Sequence, residues 1–414
     1  MGFTLTLLLP VAVILVGLFL LVRLRFFFIV HPIKTLTVFF EEIKNRETRR
    51  SFLLALAGTL GVGNIFGVAT GIMIGGPGCL FWIFVCSFFA MVIKYSETLL
   101  VFDAPGGRGG MCSVISRVFG KWGSVFALIY GIFTIVLSLF MGSAMQSAAL
   151  SDALAKIVGI NPLLICILLL VIFTPCISRG TKKIESATEI IIPLTTIIYI
   201  IMCFMAIFMR ISRLPSVIFD IIKSAFSFRA PLGGISALAI KEGFARGIMS
   251  NEAGVGSSAL AHSRAKGRTP HAAGIFGMFE VVFDTTLLCM LTGIVILVSG
   301  VNVGEYKSPM SLVTDAFFSV LGEFSAYLLA FSVFAFAYST IICWFYYGRE
   351  CVLLYFPRFC GFYSFVFLVF IVISGILPFF ILVSAIDLLL LFMTLMTLSC
   401  ILIKNHRIYQ LSLK

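Results

Sequence analysis

Gly58-Thr59-Leu60-Gly61-Val62-Gly63-Asn64-Ile65-Phe66-Gly67 places four glycines and one asparagine in the middle of an apolar run covering about residues 51–74. That run is long enough to cross a bilayer as a helix. Each glycine costs a helix about 1 kcal/mol against alanine. Inside a membrane, non-helical backbone is tolerated only where protein buries it or a cavity surrounds it. Two readings follow. Small residues spaced by four let helices approach closely, and Gly63 and Gly67 fit that pattern. Alternatively the helix opens here to bind something, because Gly61, Gly63 and Asn64 cluster too tightly for one helical face. An opened helix frees N–H groups that attract a carboxylate and C=O groups that coordinate a small cation.

The rest of the 414-residue chain carries the same membrane signature. It is 60% hydrophobic and 12% charged, where a soluble domain has about 25% charged residues. The apolar runs predict eleven spans: span 0 at about 5–30, then 51–74, 78–101, 121–150, 161–178, 188–209, 233–262, 272–299, 316–347, 361–377 and 380–404. The first run has no charge before Arg23, which argues for a retained span and against a cleaved leader. Among the 30 lysines and arginines, Lys156, Arg210, Arg213, Lys223, Arg229 and Lys307 would lie outside, and Lys94 and Lys241 within spans. All the others fall on the inner side if the N-terminus is outside and the C-terminus inside. The net charge of +12 is thereby explained without a nucleic-acid partner. Segment 31–50 is charged and amphipathic and is expected to lie along the cytoplasmic face, as a solvated connector more readily than as a lipid-specific element. Segment 210–232 is expected as an extracytoplasmic connector containing a short amphipathic stretch.

A second interrupted span is expected at 233–262, through Gly233-Gly234, Gly243, Gly247 and then Ser250 to Gly254. Glu242 and Arg246 are four apart there and share a helix face. Two interrupted spans, first and sixth of a ten-helix core, are what an inverted five-helix repeat predicts. Asp284 sits mid-membrane and is a functional candidate by its cost; a structural partner such as Lys241 is the competing reading.

Enzymatic chemistry finds little support. The 11 cysteines lack paired spacing, which argues against a disulfide framework or a metal site. His31, His262, His271 and His406 form no ligand pair, and no nucleophile elbow or P-loop is present. An enzyme or a nucleotide-driven pump is therefore not expected.

Six motifs carry a family resemblance over nearly the whole chain from span 1 to span 8: GTLGVGNIFGVA (58–69), GGPGCLFW (75–82), KYSETLL (94–100), RGIMSNEAGVGSSALAHSRAK (246–266), FEVVFDTTLLC (279–289) and FAYSTIICWFYYG (336–348). They resemble the alanine or glycine:cation symporter family of the amino acid-polyamine-organocation superfamily. The resemblance implies an all-α polytopic fold, a five-plus-five inverted repeat with broken helices 1 and 6, and one extra N-terminal span. The corresponding divisions are an extra transmembrane helix at 1–30, a connector at 31–50, a first repeat at 51–209, a connector at 210–232, a second repeat at 233–404 and a cytoplasmic tail at 405–414.

The resemblance also implies roles. Gly61, Val62, Gly63 and Asn64 would form the substrate site, with the N–H groups of Val62 and Gly63 on a carboxylate. Gln146 and Asp284 would face the same cavity, where Gln146 could meet the substrate ammonium or make an interhelical hydrogen bond. Carbonyls of Ala57, Leu60 and Phe336 and hydroxyls of Ser339 and Thr340 would hold sodium. The expected partners are a small neutral amino acid, sodium as coupling ion and the lipid bilayer, with no other cofactor, no nucleic acid and the chain acting as a monomer in the inner membrane. Proton coupling through Asp284 or Glu242 is the alternative. Ser143 and Ala148 stand where the family usually has Asn, and Val62 where it often has Thr; these departures sit near the expected pocket.

Overall fold

The structure is a computed structural model that describes residues 3–104, 109–178, 182–227, 234–262, 269–377 and 379–413. Within them the regular structure is entirely helical. Six helices are long and apolar enough to cross a membrane: Gly78–Asp103, Gly120–Ile157, Ile190–Met209, Pro270–Ser299, Phe324–Tyr355 and Ile381–Ile403. Their outer faces are apolar, with Phe208 77% and Ile190 70% exposed, while Lys94, Glu97, Glu280 and Asp284 are buried. This arrangement suits a hydrocarbon solvent.

Helix α1 (Phe3–Arg23) ends earlier than the expected span 0. The chain then turns through Arg25 and Phe26, both at positive φ, into a single turn α2 (Phe27–Val30) and α3 (Pro32–Glu42). Helix α4 (Arg46–Thr59) begins on a true cap: the Asn45 side chain accepts from the N–H groups of Glu47 and Thr48. Span 1 therefore starts before residue 51. Past a break the chain continues through a π-helical turn, Gly63–Gly67, into α5 (Val68–Gly75), and the two halves are bent by 44°. Helix α6 (Gly78–Asp103) follows, then α7 (Gly110–Val118).

Helices α8 (Gly123–Leu137) and α9 (Gln146–Val158) join through a π-helical stretch, Ser138–Met145, into one long rod. Helices α10 (Pro162–Ser178) and α11 (Lys182–Met209) lead to α12 (Leu214–Ala225), whose Val217, Ile221 and Ala225 bury one face. This is the short amphipathic helix expected in the 210–232 segment.

The second half opens with α13 (Gly234–Asn251) and a one-turn α14 (Ala259–His262). The interruption lies at 252–258, overlapping the expected Ser250–Gly254 stretch and not at Gly234, Gly243 or Gly247; Gly233 lies outside the described residues. Gly243 and Gly247 are helical and let α13 sit against α6, where a Cβ would collide with Trp82 and Cys86. Helices α15 (Pro270–Val281) and α16 (Met290–Ser299) are joined by a π-helical stretch, Val282–Cys289. Span 8 needs a second correction. Residues 309–321 form a separate helix α17 (Pro309–Leu321), and α18 starts only at Phe324 and runs to Tyr355. Gly322, at φ +79, ends α17, and hydropathy alone does not register such a turn. Helices α19 (Cys360–Ile373), α20 (Phe379–Ile403) and α21 (Asn405–Ser412) complete the chain. All eleven cysteines are free, and most are buried.

Candidate functional site

The site forms where α4 stops. Leu60 leaves helical geometry (φ −72, ψ 68), and its N–H still reaches Leu56 O at 2.6 Å. The Gly61 N–H turns back to Thr59 O at 2.7 Å. The carbonyls of Ala57 and Leu60 are then met from outside the helix, because Thr340 Oγ1 on α18 lies 3.0 Å from Ala57 O and 3.5 Å from Leu60 O. The Val62 N–H donates to Gln146 Oε1 at 3.0 Å, and Gln146 Nε2 donates to Met141 O at 3.1 Å. A Cβ on Gly61 would stand 2.8 Å from Thr340 Oγ1 and 3.0 Å from Gln146 Oε1. Glycine is needed there because two helices converge on it.

Three of the five expected sodium ligands thus come together: Ala57 O, Leu60 O and Thr340 Oγ1. The other two, Phe336 O and Ser339 Oγ, are 3.0 Å apart on α18, and Ser339 also donates to Ala335 O at 3.0 Å. All five residues are buried. The ligand set is carbonyl and hydroxyl oxygen without a carboxylate, which matches a hard monovalent cation of low charge. Among the described residues no group of three His, Cys, Asp or Glu side chains could hold a metal ion.

Asn64 and Asp284 meet through Ser250, a residue that sequence reasoning did not single out as a site residue. Ser250 Oγ is 2.7 Å from Asn64 Oδ1 and 2.5 Å from Asp284 Oδ2, and Thr285 Oγ1 is 2.7 Å from the same carboxylate oxygen. Lys241 is not the partner of Asp284, for it pairs with Glu242 at 3.1 Å. Ser250 has a single proton, so it can satisfy one of the two oxygens facing it. A cation or an ammonium group would satisfy both. Gly63 adjoins the same α13 residues: a Cβ on it would meet Met249 O and Ser250 Cα at 3.8 Å.

The departure at Ser143 lies away from this centre. Its hydroxyl donates to Phe367 O on α19 at 2.9 Å. Gln146 and Val62 touch the break directly.

Behind the break in the 233–262 span lies a second polar cluster. Lys94 Nζ donates to Asn251 O at 2.9 Å and sits 3.5 Å from carboxylate oxygens of both Glu97 and Glu280. Glu97 Oε2 accepts the Gly254 N–H at 2.8 Å. The i,i+3 pair Lys94 and Glu97 therefore satisfies the start of the interruption: the ammonium takes the last carbonyl of α13, and the carboxylate takes the Gly254 N–H within the interruption. Glu280 is also bonded by Ser258 at 2.8 Å and by His262. Glu252 accepts from Trp344 Nε1 at 3.1 Å and from Ser257. Each of these residues lies in a motif quoted above, but a motif does not reveal that they meet. Arg246 holds Glu242 at 3.3 Å, as the i,i+4 spacing predicts, and adds Asp387 of α20 at 2.5 Å.

With this geometry in view, the whole-chain comparison decides the family. The model of the sodium:alanine symporter family matches residues 1–412.

The chain belongs to the sodium:alanine symporter family.

Relatives include an uncharacterized transporter of Haemophilus influenzae, 33% identical over 352 residues, 81% of this chain and 76% of that one. The sodium/alanine symporter AgcS of Methanococcus maripaludis is 32% identical over 312 residues, 73% of this chain and 69% of that one. The probable sodium/glutamine symporter GlnT of Bacillus subtilis is 32% identical over 308 residues, 72% of this chain and 63% of that one. Among solved structures, MhsT in complex with L-phenylalanine aligns with a TM-score of 0.65 at 15% identity, covering 85% of this chain and 88% of that one. A manganese transporter of Eremococcus coleocola aligns at 0.53 and 16% identity, covering 84% of this chain and 75% of that one. These two share the fold. Membership of the sodium:alanine symporter family makes the chain an integral membrane transporter of the amino acid–cation symport class, not an enzyme.

Proposed function

We propose that this protein moves a small neutral amino acid, alanine or glycine in the first instance, across the inner membrane together with sodium. The observation that carries the reading is the convergence of Ala57 O, Leu60 O and Thr340 Oγ1 beside an opened helix whose next N–H, on Val62, is held by a side-chain carbonyl. The substrate carboxylate takes the N–H groups of Val62 and Gly63 and displaces Gln146 Oε1, an acceptor of the same kind. Sodium takes Ala57 O, Leu60 O, Phe336 O, Ser339 Oγ and Thr340 Oγ1. The hydroxyl protons that now point at carbonyls then turn away, so that the lone pairs face the ion. Asn64, Ser250 and Asp284 hold the substrate ammonium or a second cation. Close packing around Gly61 favours a short side chain.

The supporting architecture is eleven spans in two inverted five-helix repeats, with broken helices 1 and 6, an extra N-terminal span, the N-terminus outside and the C-terminus inside. Sodium and substrate bound at the break bias a rocking of one helix group against the other, which exposes the site alternately to each side.

The decisive experiment is uptake of radiolabelled alanine into proteoliposomes, with and without an inward sodium gradient. Sodium-dependent uptake that excess glycine blocks is the expected result. Uptake driven equally by a proton gradient in potassium buffer would transfer the coupling role to Asp284 or Glu242. No uptake of either amino acid would reject the proposed substrate class and direct the search to larger neutral amino acids.

A further inference from the structure

A cavity of about 300 Å³ lies beside the first turns of α15, between the segment 24–38 that follows α1 and the helix α21 that follows α20. Because α15 and α20 open or close membrane-length helices at this end, the cavity sits at a membrane boundary. Arg25, His31, Lys34 and His271 line it, together with Phe27 and Tyr409, and no acidic side chain does. Among the described residues neither Arg25 nor Lys34 has a carboxylate at ion-pair distance, whereas nearby Arg407 is paired with Asp103 at 2.8 Å.

The backbone is strained to build this corner. Arg25 and Phe26 are consecutive non-glycine residues with φ of 55 and 52, a region that L side chains avoid. Strain of this kind persists where surrounding structure enforces it and often marks a binding position. Here α21 supplies the enforcement: Arg23 stacks over Tyr409 at 4.9 Å and its Nη2 lies 3.4 Å from His406, while Arg25 lies 5.9 Å from the same ring.

The outer face of the same segment is apolar and uncovered. Ile29, Val30, Ile33 and Phe40 are exposed, Ile33 to 78%. A solvated connector does not explain a face of that kind next to a basic cavity. An amphiphile with an anionic head and hydrocarbon tails meets both requirements.

We propose that this cavity binds an anionic phospholipid of the leaflet on the side of α21, its phosphate between Arg25 and Lys34 and its acyl chains along Ile29 and Ile33. The lipid fastens the α1–α3 corner to the end of the transport core. Recognition rests on the phosphate charge and on the tails together, so neither zwitterionic lipid nor a soluble phosphate substitutes.

The test uses the full chain in detergent, delipidated and then titrated with phosphatidylglycerol, phosphatidylcholine or glycerol 3-phosphate, with thermal unfolding and native mass spectrometry as readouts. Phosphatidylglycerol is expected to raise the melting temperature and remain bound, and the other two are not. The double variant Arg25→Asn with Lys34→Gln keeps a residue that tolerates positive φ at position 25. It should bind phosphatidylglycerol roughly tenfold or more weakly, while Arg358→Gln, a basic change elsewhere, leaves binding intact. Equal binding by the double variant, or equal stabilisation by phosphatidylcholine, overturns the proposal. Stabilisation by glycerol 3-phosphate without any by lipid would overturn the lipid assignment and identify a soluble phosphate ligand. If the double variant does not fold, native mass spectrometry of the wild-type chain still decides, by whether anionic lipid is retained over zwitterionic lipid from an equal mixture. Amino-acid transport is not a readout here, so this result stands apart from that of the uptake assay.

Discussion

Thr340 and Ser339 are neighbours in sequence whose hydroxyls do different things. Thr340 crosses to Ala57 O at 3.0 Å, whereas Ser339 bonds within its own helix to Ala335 O and Phe336 O. If both serve sodium, Thr340→Ala removes an oxygen that is already aimed at the opened helix. A lost hydrogen bond or ligand contact to a charged group is worth about 1.5–3 kcal/mol, so the sodium concentration for half-maximal uptake should rise roughly tenfold or more. Ser339→Ala with Thr340→Ala should abolish sodium-dependent uptake, and unchanged uptake in that variant would remove both residues from the coupling site. Gly61→Ala tests the convergence of helices on the break. Its Cβ would stand 2.8 Å from Thr340 Oγ1, so transport should fall sharply while size-exclusion chromatography still shows a monodisperse protein. Normal uptake in Gly61→Ala would mean that the neighbouring side chains yield freely.

At the scale of elements, the two interruptions are satisfied differently. The break at Leu60 to Val62 relies on side chains of two other helices: Gln146 accepts the Val62 N–H and Thr340 reaches the Ala57 carbonyl. The break after Asn251 is held by Lys94 and Glu97 of α6, a buried ion pair built into the packing. Removing one partner of a buried charge network leaves the others uncompensated and typically costs about 3–5 kcal/mol. Lys94→Met should therefore depress the melting temperature strongly, because Glu97 and Glu280 lose their shared ammonium. Arg246→Met should act similarly through Glu242 and Asp387. A melting temperature close to wild type in Lys94→Met would show that the cluster contributes little to holding the interruption.

On the scale of the whole molecule, the distribution of basic residues predicts a cytoplasmic C-terminus. A green fluorescent protein fused after residue 414 should fluoresce in cells, and a periplasm-active alkaline phosphatase at the same position should stay inactive. The opposite pair of results would invert the topology and, with it, the side from which the proposed sodium site is loaded. The same fusions would assign the α21 side, where the basic cavity lies, to a leaflet.

Hydropathy, helix order and the glycine cluster at 58–67 are local properties, and they were enough to read an all-helical membrane protein with its first break in the right place; the transporter reading came with the family motifs. Boundaries were less legible where a single turn decides them. Gly322 separates α17 from α18 inside one apolar stretch, and Arg25 ends span 0 early by adopting a positive φ that its side chain disfavours. Of the expected second break, the Ser250–Gly254 part overlaps the observed interruption, whereas Gly243 and Gly247 proved to be packing positions, because their role depends on Trp82 and Cys86 of another helix. The site divides in the same way. That Ala57, Leu60 and Val62 present free backbone groups follows from a helix opened by glycine. That Thr340 meets Ala57 across 283 positions, that Gln146 occupies the Val62 N–H across 84, and that Asp284 turns to Ser250 and away from Lys241 are facts of three-dimensional packing. Whether a helix opens at a glycine cluster is set by residues close in sequence, whereas a strained turn such as Arg25–Phe26 is held by α21 from the far end of the chain. The partner of a buried polar side chain is set by which helix happens to lie opposite, and periodicity along one helix does not encode that neighbour.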